Sequence, residues 1–171
     1  AGYDKQYETI RYYDDVRIGY SVIYTNEVAQ STGIKSESQY YYYPSLALQN
    51  ESTQYTDGSY EGFYYYESGE LREESRYDQN GYISKSYYRS GALQSEYHDM
   101  YDTDYYYWHK AYYEDGTLQS EGEGDYESGW YKNYYSTGIL QHESRYSYSP
   151  VYTSSGKSYD STGKIISEYM N

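Results

Sequence analysis

The residues that could do chemistry are few, and most of them are repeated. His98, His109 and His142 stand apart from any Ser or Cys in a nucleophile-like pattern. They are read as exposed strand or turn residues. Glu74, Glu96, Glu121 and Glu143 recur at regular spacing. Two carboxylates about 5–9.5 Å apart can hydrolyse a glycoside. A repeat, however, gives each copy the same surroundings, whereas acid–base work needs two that differ. These glutamates are therefore expected to be solvated face residues, paired with Arg72, Arg76 or Arg145. Asp99, Asp102 and Asp104 form one cluster of hard oxygen donors, and Glu121, Glu123 and Asp125 another. Neither completes a calcium loop, and both are read as solvated turn acids. No catalytic residue, metal ligand or cofactor is assigned. Trp108 and Trp130 are candidate ligand-stacking residues, because an aromatic face beside polar groups suits a sugar ring. Asn50-Glu51-Ser52 is a formal glycosylation sequon.

The elements that carry these groups must be unusual. The chain has 171 residues, 35 of them Tyr, and no Cys. Leu, Ile, Val and Phe together number only nineteen, below the roughly 20% share under which a charged chain is usually disordered. The net charge is −14. A conventional aliphatic core is excluded, as is a disulfide framework. No apolar run approaches the ~18 residues of a membrane helix, so no membrane insertion is expected. Nucleic acid is disfavoured, because the 13 basic residues are scattered among 27 acidic ones and phosphate binding needs clustered cations. Either the chain is disordered, or Tyr forms the core of an all-β fold.

A repeat decides for the second. Gly69, Gly91, Gly116, Gly138 and, more loosely, Gly163 are spaced 22, 25, 22 and 25 residues apart. Aromatic residues precede each of the first four, with Tyr66, Tyr88, Tyr113 and Tyr135 at the same offset. An aliphatic residue follows two places on: Leu71, Leu93, Leu118, Leu140 and Ile165. A glutamate follows three later. An earlier degenerate copy is read at residues 43–51, with Leu46 in the glycine's place. Each unit reads as a β-hairpin. The aromatic run has strand propensity, Ser/Asp/Thr-Gly is turn chemistry, and Asn80-Gly81 is a further hairpin signal. A second set of turns is placed at residues 78–81, 102–104 and 123–125, the last followed by 126–129. The expected fold is all-β: an antiparallel meander of tandem hairpins forming an elongated repeat sheet. The Leu series would make an inner aliphatic ladder and the Tyr66 series an aromatic one beside it. The array is placed at residues 56–171. Residues 1–55 are read as less regular strands, a cap or assembly segment. There Val16, Ile18, Tyr20, Val22 and Tyr24 alternate with more polar residues and could supply an edge strand for assembly. Ser31-Thr32-Gly33 and Pro44-Ser45 mark turns.

The pattern Tyr-Tyr-x-[Ser/Asp/Thr]-Gly-x-Leu-x-x-Glu, carried by Gly69, Gly91, Gly116 and Gly138 with their Leu and Glu partners, resembles the variant MORN repeat. The resemblance covers about residues 56–171. It implies stacked antiparallel hairpins and a non-enzymatic scaffold or binding role, with protein partners. The resemblance departs in the scarce second glycine pair and in the heavy Tyr load. Gly129-Trp130-Tyr131 is similar, less closely, to cell-wall-binding aromatic hairpins.

The functional expectation is a non-enzymatic structural or scaffold protein, secreted or at the cell surface. It would bind protein partners or assemble with itself into a filament through open sheet edges. A carbohydrate- or cell-wall-binding module using Tyr and Trp stacking is the first alternative. A cytoplasmic antitoxin-like binder is the second.

Overall fold

The computed structural model describes residues 4–13, 16–26, 36–55, 57–101 and 105–171, with side chains from residue 39 onward. It is all-β, with no helix among the described residues. The chain divides into two compact units, Ala1–Gln79 and Asn80–Asn171. The first unit runs β1 (Asp4–Tyr13), β2 (Val16–Asn26), β3 (Ser36–Tyr42), β4 (Leu48–Tyr55), β5 (Tyr60–Tyr65) and β6 (Leu71–Asp78). The second runs β7 (Gly81–Tyr87), β8 (Leu93–Met100), β9 (Tyr106–Tyr112), β10 (Leu118–Asp125), β11 (Ser128–Tyr134), β12 (Leu140–Ser147), β13 (Thr153–Tyr159) and β14 (Ile165–Met170). In each unit every strand pairs antiparallel with its sequence neighbour, which gives a hairpin meander.

The turn glycines have a common job. In the Tyr113–Thr117 loop the Tyr113 N–H donates to the Thr117 carbonyl, and the Gly116 N–H donates back to the Tyr113 carbonyl, both at 2.8 Å. Gly116 has φ +85°. This is a type I turn closed by a left-handed residue, a standard three-residue hairpin loop. The same pair of bonds closes the loops starting at Tyr43, Tyr66, Tyr88, Tyr135 and Asp160. In the degenerate copy Leu46 itself adopts φ +72°, so the geometry outlasts the glycine. Gly58, which the sequence pattern passed over, closes an identical loop after β4.

Each of these six repeat hairpins skips one residue just after the aliphatic position. Tyr112 pairs with Leu118, then Ala111 with Ser120, leaving Gln119 unpaired. The skip recurs after Leu48, Leu71, Leu93, Leu140 and Ile165. Without it, Leu and the Glu three places on would face opposite ways, because strand side chains alternate. The bulge returns both to one face, a re-aiming that is typical of such insertions.

The packing differs from the expected Tyr-filled interior. No described side chain is fully buried. Among the described residues seven are buried: Gly62, Ser75, Gly81, Ser120, Gly122, Gly124 and Gly156. Aromatic side chains lie over Gly62, Gly122, Gly124 and Gly156. Gly122 stands in register between His109 and Tyr131, whose rings stack above it at 5.5 Å. A Cβ there would meet His109 Cε1 at 2.7 Å and the Trp130 carbonyl oxygen at 2.8 Å. Tyr169 covers Gly156 in the same way, and Tyr60 covers Gly62. Small residues thus sink the backbone beneath a half-buried aromatic cover. The aliphatic series is half-buried rather than internal, and Ile165 is 48% exposed.

One sequence expectation changes here. β2, which carries Val16, Ile18, Tyr20, Val22 and Tyr24, is paired on both sides, with β1 and β3. Its backbone is therefore not an open edge. Of the turn signal at residues 123–129, Glu123–Asp125 lie inside β10 and the chain reverses at Tyr126–Glu127. Asn50 lies within β4, half-buried, opposite Tyr41 and Tyr64. Ser31-Thr32-Gly33 and Asp102-Thr103-Asp104 lie outside the described residues.

Candidate binding face

The repeat tyrosines act through their hydroxyls. Tyr88, Tyr113 and Tyr135 each open a turn. Each donates its O–H to the backbone carbonyl of the Tyr that ends the next repeat's aromatic strand: Tyr112, Tyr134 and Tyr159, at 2.8–2.9 Å. Tyr43 does the same to Tyr65 in the first unit. The aromatic series is thus a set of repeat-to-repeat stitches, and Tyr66 holds the equivalent position in the sequence.

The glutamate series has phenol partners, not the expected arginines. Tyr65 donates to Glu51 at 2.6 Å, Tyr112 to Glu96 at 3.1 Å, Tyr134 to Glu121 at 2.7 Å and Tyr159 to Glu143 at 2.6 Å. In each case the Tyr that ends the aromatic strand reaches diagonally to the previous repeat's carboxylate, within the range of a long side chain on one face. Burial, followed by the Glu51 and Glu121 carboxylates, pushes the Tyr65 and Tyr134 phenols up to about 12. The arginines are engaged elsewhere. Arg76 pairs with Asp78 at 2.9 Å, Arg72 lies over the Tyr64 ring, and Arg145 stands in register beside Trp130.

The second unit adds a row of charge that the sequence reading missed. Cα register sets Lys85 opposite Glu96, Lys110 opposite Glu121, Lys132 opposite Glu143 and Lys157 opposite Glu168. It also sets Glu96 opposite Lys110, Glu121 opposite Lys132 and Glu143 opposite Lys157. The sign alternates across all eight strands. The signal was a Lys two residues before the doublet, as in Lys110-Ala111-Tyr112-Tyr113.

Two positions along from this row, on the same face, lie Trp108, Glu123 and Trp130 on three successive strands. Strand spacing of ~4.8 Å separates the two indoles by about 10 Å. Glu123 binds the Trp130 indole N–H at 2.8 Å and the Tyr106 hydroxyl at 2.5 Å. Those two donors hold its carboxyl below the usual range, and the Glu123 bond pushes the Tyr106 phenol up to about 12. Lys110 and Lys132 lie over the Trp108 and Trp130 rings at 5.9 and 5.2 Å. Tyr106, Trp108, Lys110, Glu123 and Trp130 line a shallow groove of about 350 Å³. Glu121 and Glu123 are thus acceptors for ring donors. Asp125 caps its turn, accepting N–H bonds from Glu127 and Ser128 at 2.7 Å. Among the described residues no group of carboxylates and histidines is arranged to hold a metal.

The histidines are strand residues, half-buried rather than exposed. His98 stacks on Trp108 at 4.0 Å, and burial holds its ring and that of His109 below the ordinary imidazole value. His142 Nδ1 lies 3.1 Å from Ser158 Oγ, its direct cross-strand partner.

Compared with known proteins, the chain matches no family model and no curated protein. Any role for this face therefore rests on its own chemistry. A flat, one-faced arrangement of indoles, phenols and alternating charges can bind by stacking and hydrogen bonding.

A second surface differs in kind. β14 is paired only on its β13 side, and all its residues are exposed. Ile166 is 65% and Met170 82% exposed, with Tyr169 at 44%. A groove lined by Trp130, Arg145, Tyr146 and Met170 runs beside it.

Proposed function

We propose that the chain is a non-enzymatic structural or scaffold protein built of MORN-like hairpins, acting outside the cell or at its surface. It associates with further copies of itself, or with a protein partner, through the edge of its sheet. The observation that carries this reading is the apolar, half-paired β14. An edge strand with open N–H and C=O groups templates another strand unless charge or Pro blunts it, and β14 has only Glu168. Antiparallel pairing of two β14 strands with Ser167 opposite Glu168 would set Ile165 against Met170 and Ile166 against Tyr169. No carboxylate then faces another. A non-enzymatic role is supported by the equivalence of Glu96, Glu121 and Glu143, each held by a Tyr hydroxyl in the same way.

Sedimentation velocity over a range of concentrations tests this. Association is expected in the native chain and lost in Ile166→Lys and Met170→Lys. A native chain that stays monomeric at high concentration overturns it.

A second reading is favoured by Trp108 and Trp130, which share one face at about 10 Å, a separation suited to alternate rings of an extended glycan. Quenching of Trp fluorescence by soluble oligosaccharides, lost in Trp108→Ala, would support a carbohydrate-binding module. No response across neutral and acidic glycans would remove it.

A further inference from the structure

Seven tyrosines form a continuous cluster in the second unit, at the ends of β8 to β13 away from the repeat turns. Tyr101 neighbours Tyr105, which contacts Tyr107 and Tyr126. Tyr107 meets Tyr146 hydroxyl to hydroxyl at 2.9 Å, and Tyr146 leads through Tyr148 to Tyr152. Ring centroids of successive ring contacts lie 4.4–6.5 Å apart. The outer members are open to solvent: Tyr126 is 75%, Tyr148 59%, Tyr152 54% and Tyr101 48% exposed. Neither the stitches nor the carboxylate pairs use these groups.

We infer that this cluster is an oxidative coupling site, at which Tyr105 and Tyr126 are joined covalently as dityrosine. Theirs is the closest stack of the cluster, with centroids 4.4 Å apart and planes inclined by 28°. The neighbouring contacts are wider and mostly tilted or edge-on, at 5.2 Å and 42° for Tyr148–Tyr152 and 5.6 Å and 67° for Tyr146–Tyr148. The Asp99 carboxylate lies beside the Tyr105 hydroxyl, and its buried Oδ1 has no partner among the described residues. Asp99 can thus take the phenolic proton as the electron leaves.

The oxidant is a peroxide used by a one-electron oxidising haem peroxidase. Each phenol gives up one electron and one proton. The two radicals combine through one ortho carbon of each ring. The hydrogen on each of those carbons then passes to the adjacent oxygen and restores the phenol. The protein loses two hydrogens, and one peroxide becomes two waters. A radical formed first at Tyr148 or Tyr152 can migrate inward along the ring contacts to the stacked pair. The product fastens the loop before β9 to the turn between β10 and β11.

The test treats the full chain, at dilution, with a haem peroxidase and limiting hydrogen peroxide. The expected product is a monomer lighter by two hydrogens, with dityrosine fluorescence and a peptide map joining Tyr105 to Tyr126. Tyr126→Phe should abolish that product, and its far-UV circular dichroism should match the native chain, since the residue is mostly exposed. Tyr152→Phe should leave the product intact. Coupling that maps to other tyrosines, persists in Tyr126→Phe, or proceeds equally in urea overturns the inference.

Discussion

Tyr107 on β9 and Tyr146 on β12 meet hydroxyl to hydroxyl, although two strands lie between them. The intervening register positions are Gly124 and Gly129. A Cβ at Gly129 would stand 2.5 Å from the Tyr146 hydroxyl oxygen. The two phenols therefore span the sheet because nothing rises beneath them. Burial and the Tyr107 contact push the Tyr146 phenol well up. Gly129→Val should displace the ring and cost about 1–3 kcal/mol, the usual range for overpacking. Urea denaturation of the variant measures this, and a loss in Gly129→Val much greater than in Tyr146→Phe would assign the effect to the ring's displacement.

The stitches make a second test. Tyr113→Phe keeps the ring and removes the O–H that serves the Tyr134 carbonyl. A loss of about 1 kcal/mol is expected. Tyr88→Phe and Tyr135→Phe remove equivalent bonds and should cost the same. The denaturant midpoint reads each loss, and a set of unequal values would break the equivalence of the repeats.

Leu46 is the one non-glycine residue described at positive φ. Left-handed backbone costs an L-residue roughly 1–2 kcal/mol, and Leu46 is 54% exposed, so its side chain contributes little in return. Leu46→Gly should therefore stabilise the first unit by about 0.5–1 kcal/mol, the remainder going to the freer unfolded chain. Gly116→Ala should do the reverse in the second unit, since no atom obstructs a Cβ there. Thermal midpoints of the two variants should move in opposite directions.

Alkaline pH should unfold the chain in a defined window. The Tyr65, Tyr106 and Tyr134 phenols titrate near about 12 when folded and near about 10 when unfolded. A raised folded value means that the stabilisation is complete below about pH 10 and is lost as pH rises toward 12. Phenolate absorbance and circular dichroism should therefore change together in that interval. Phenolate forming freely near pH 10 with the fold intact would contradict the hydroxyl–carboxylate pairs.

The hairpin period, the loop glycines and the degenerate Leu46 copy were legible in the sequence, because each depends on residues close together in the chain. The Tyr134–Glu121 bond was not. It joins residues of successive strands and depends on the register that sets Glu121 opposite Lys132. A spacing count cannot show that register. The same gap hid the Lys110 row, whose members become neighbours only once that register is known. Gly124 looked like a turn residue, and only the rings above Gly122 and Gly124 explain why a strand interior carries glycine.

The alternation of Lys and Glu from β7 to β14 has a consequence for how such a chain can lengthen. A single strand inserted or lost inside the array would bring one pair of like charges face to face, which cross-strand pairing disfavours. Two strands at once leave every sign matched. Growth and loss by whole hairpins is therefore the permitted step, and the hairpin is the unit that duplication can copy without rewriting its neighbours.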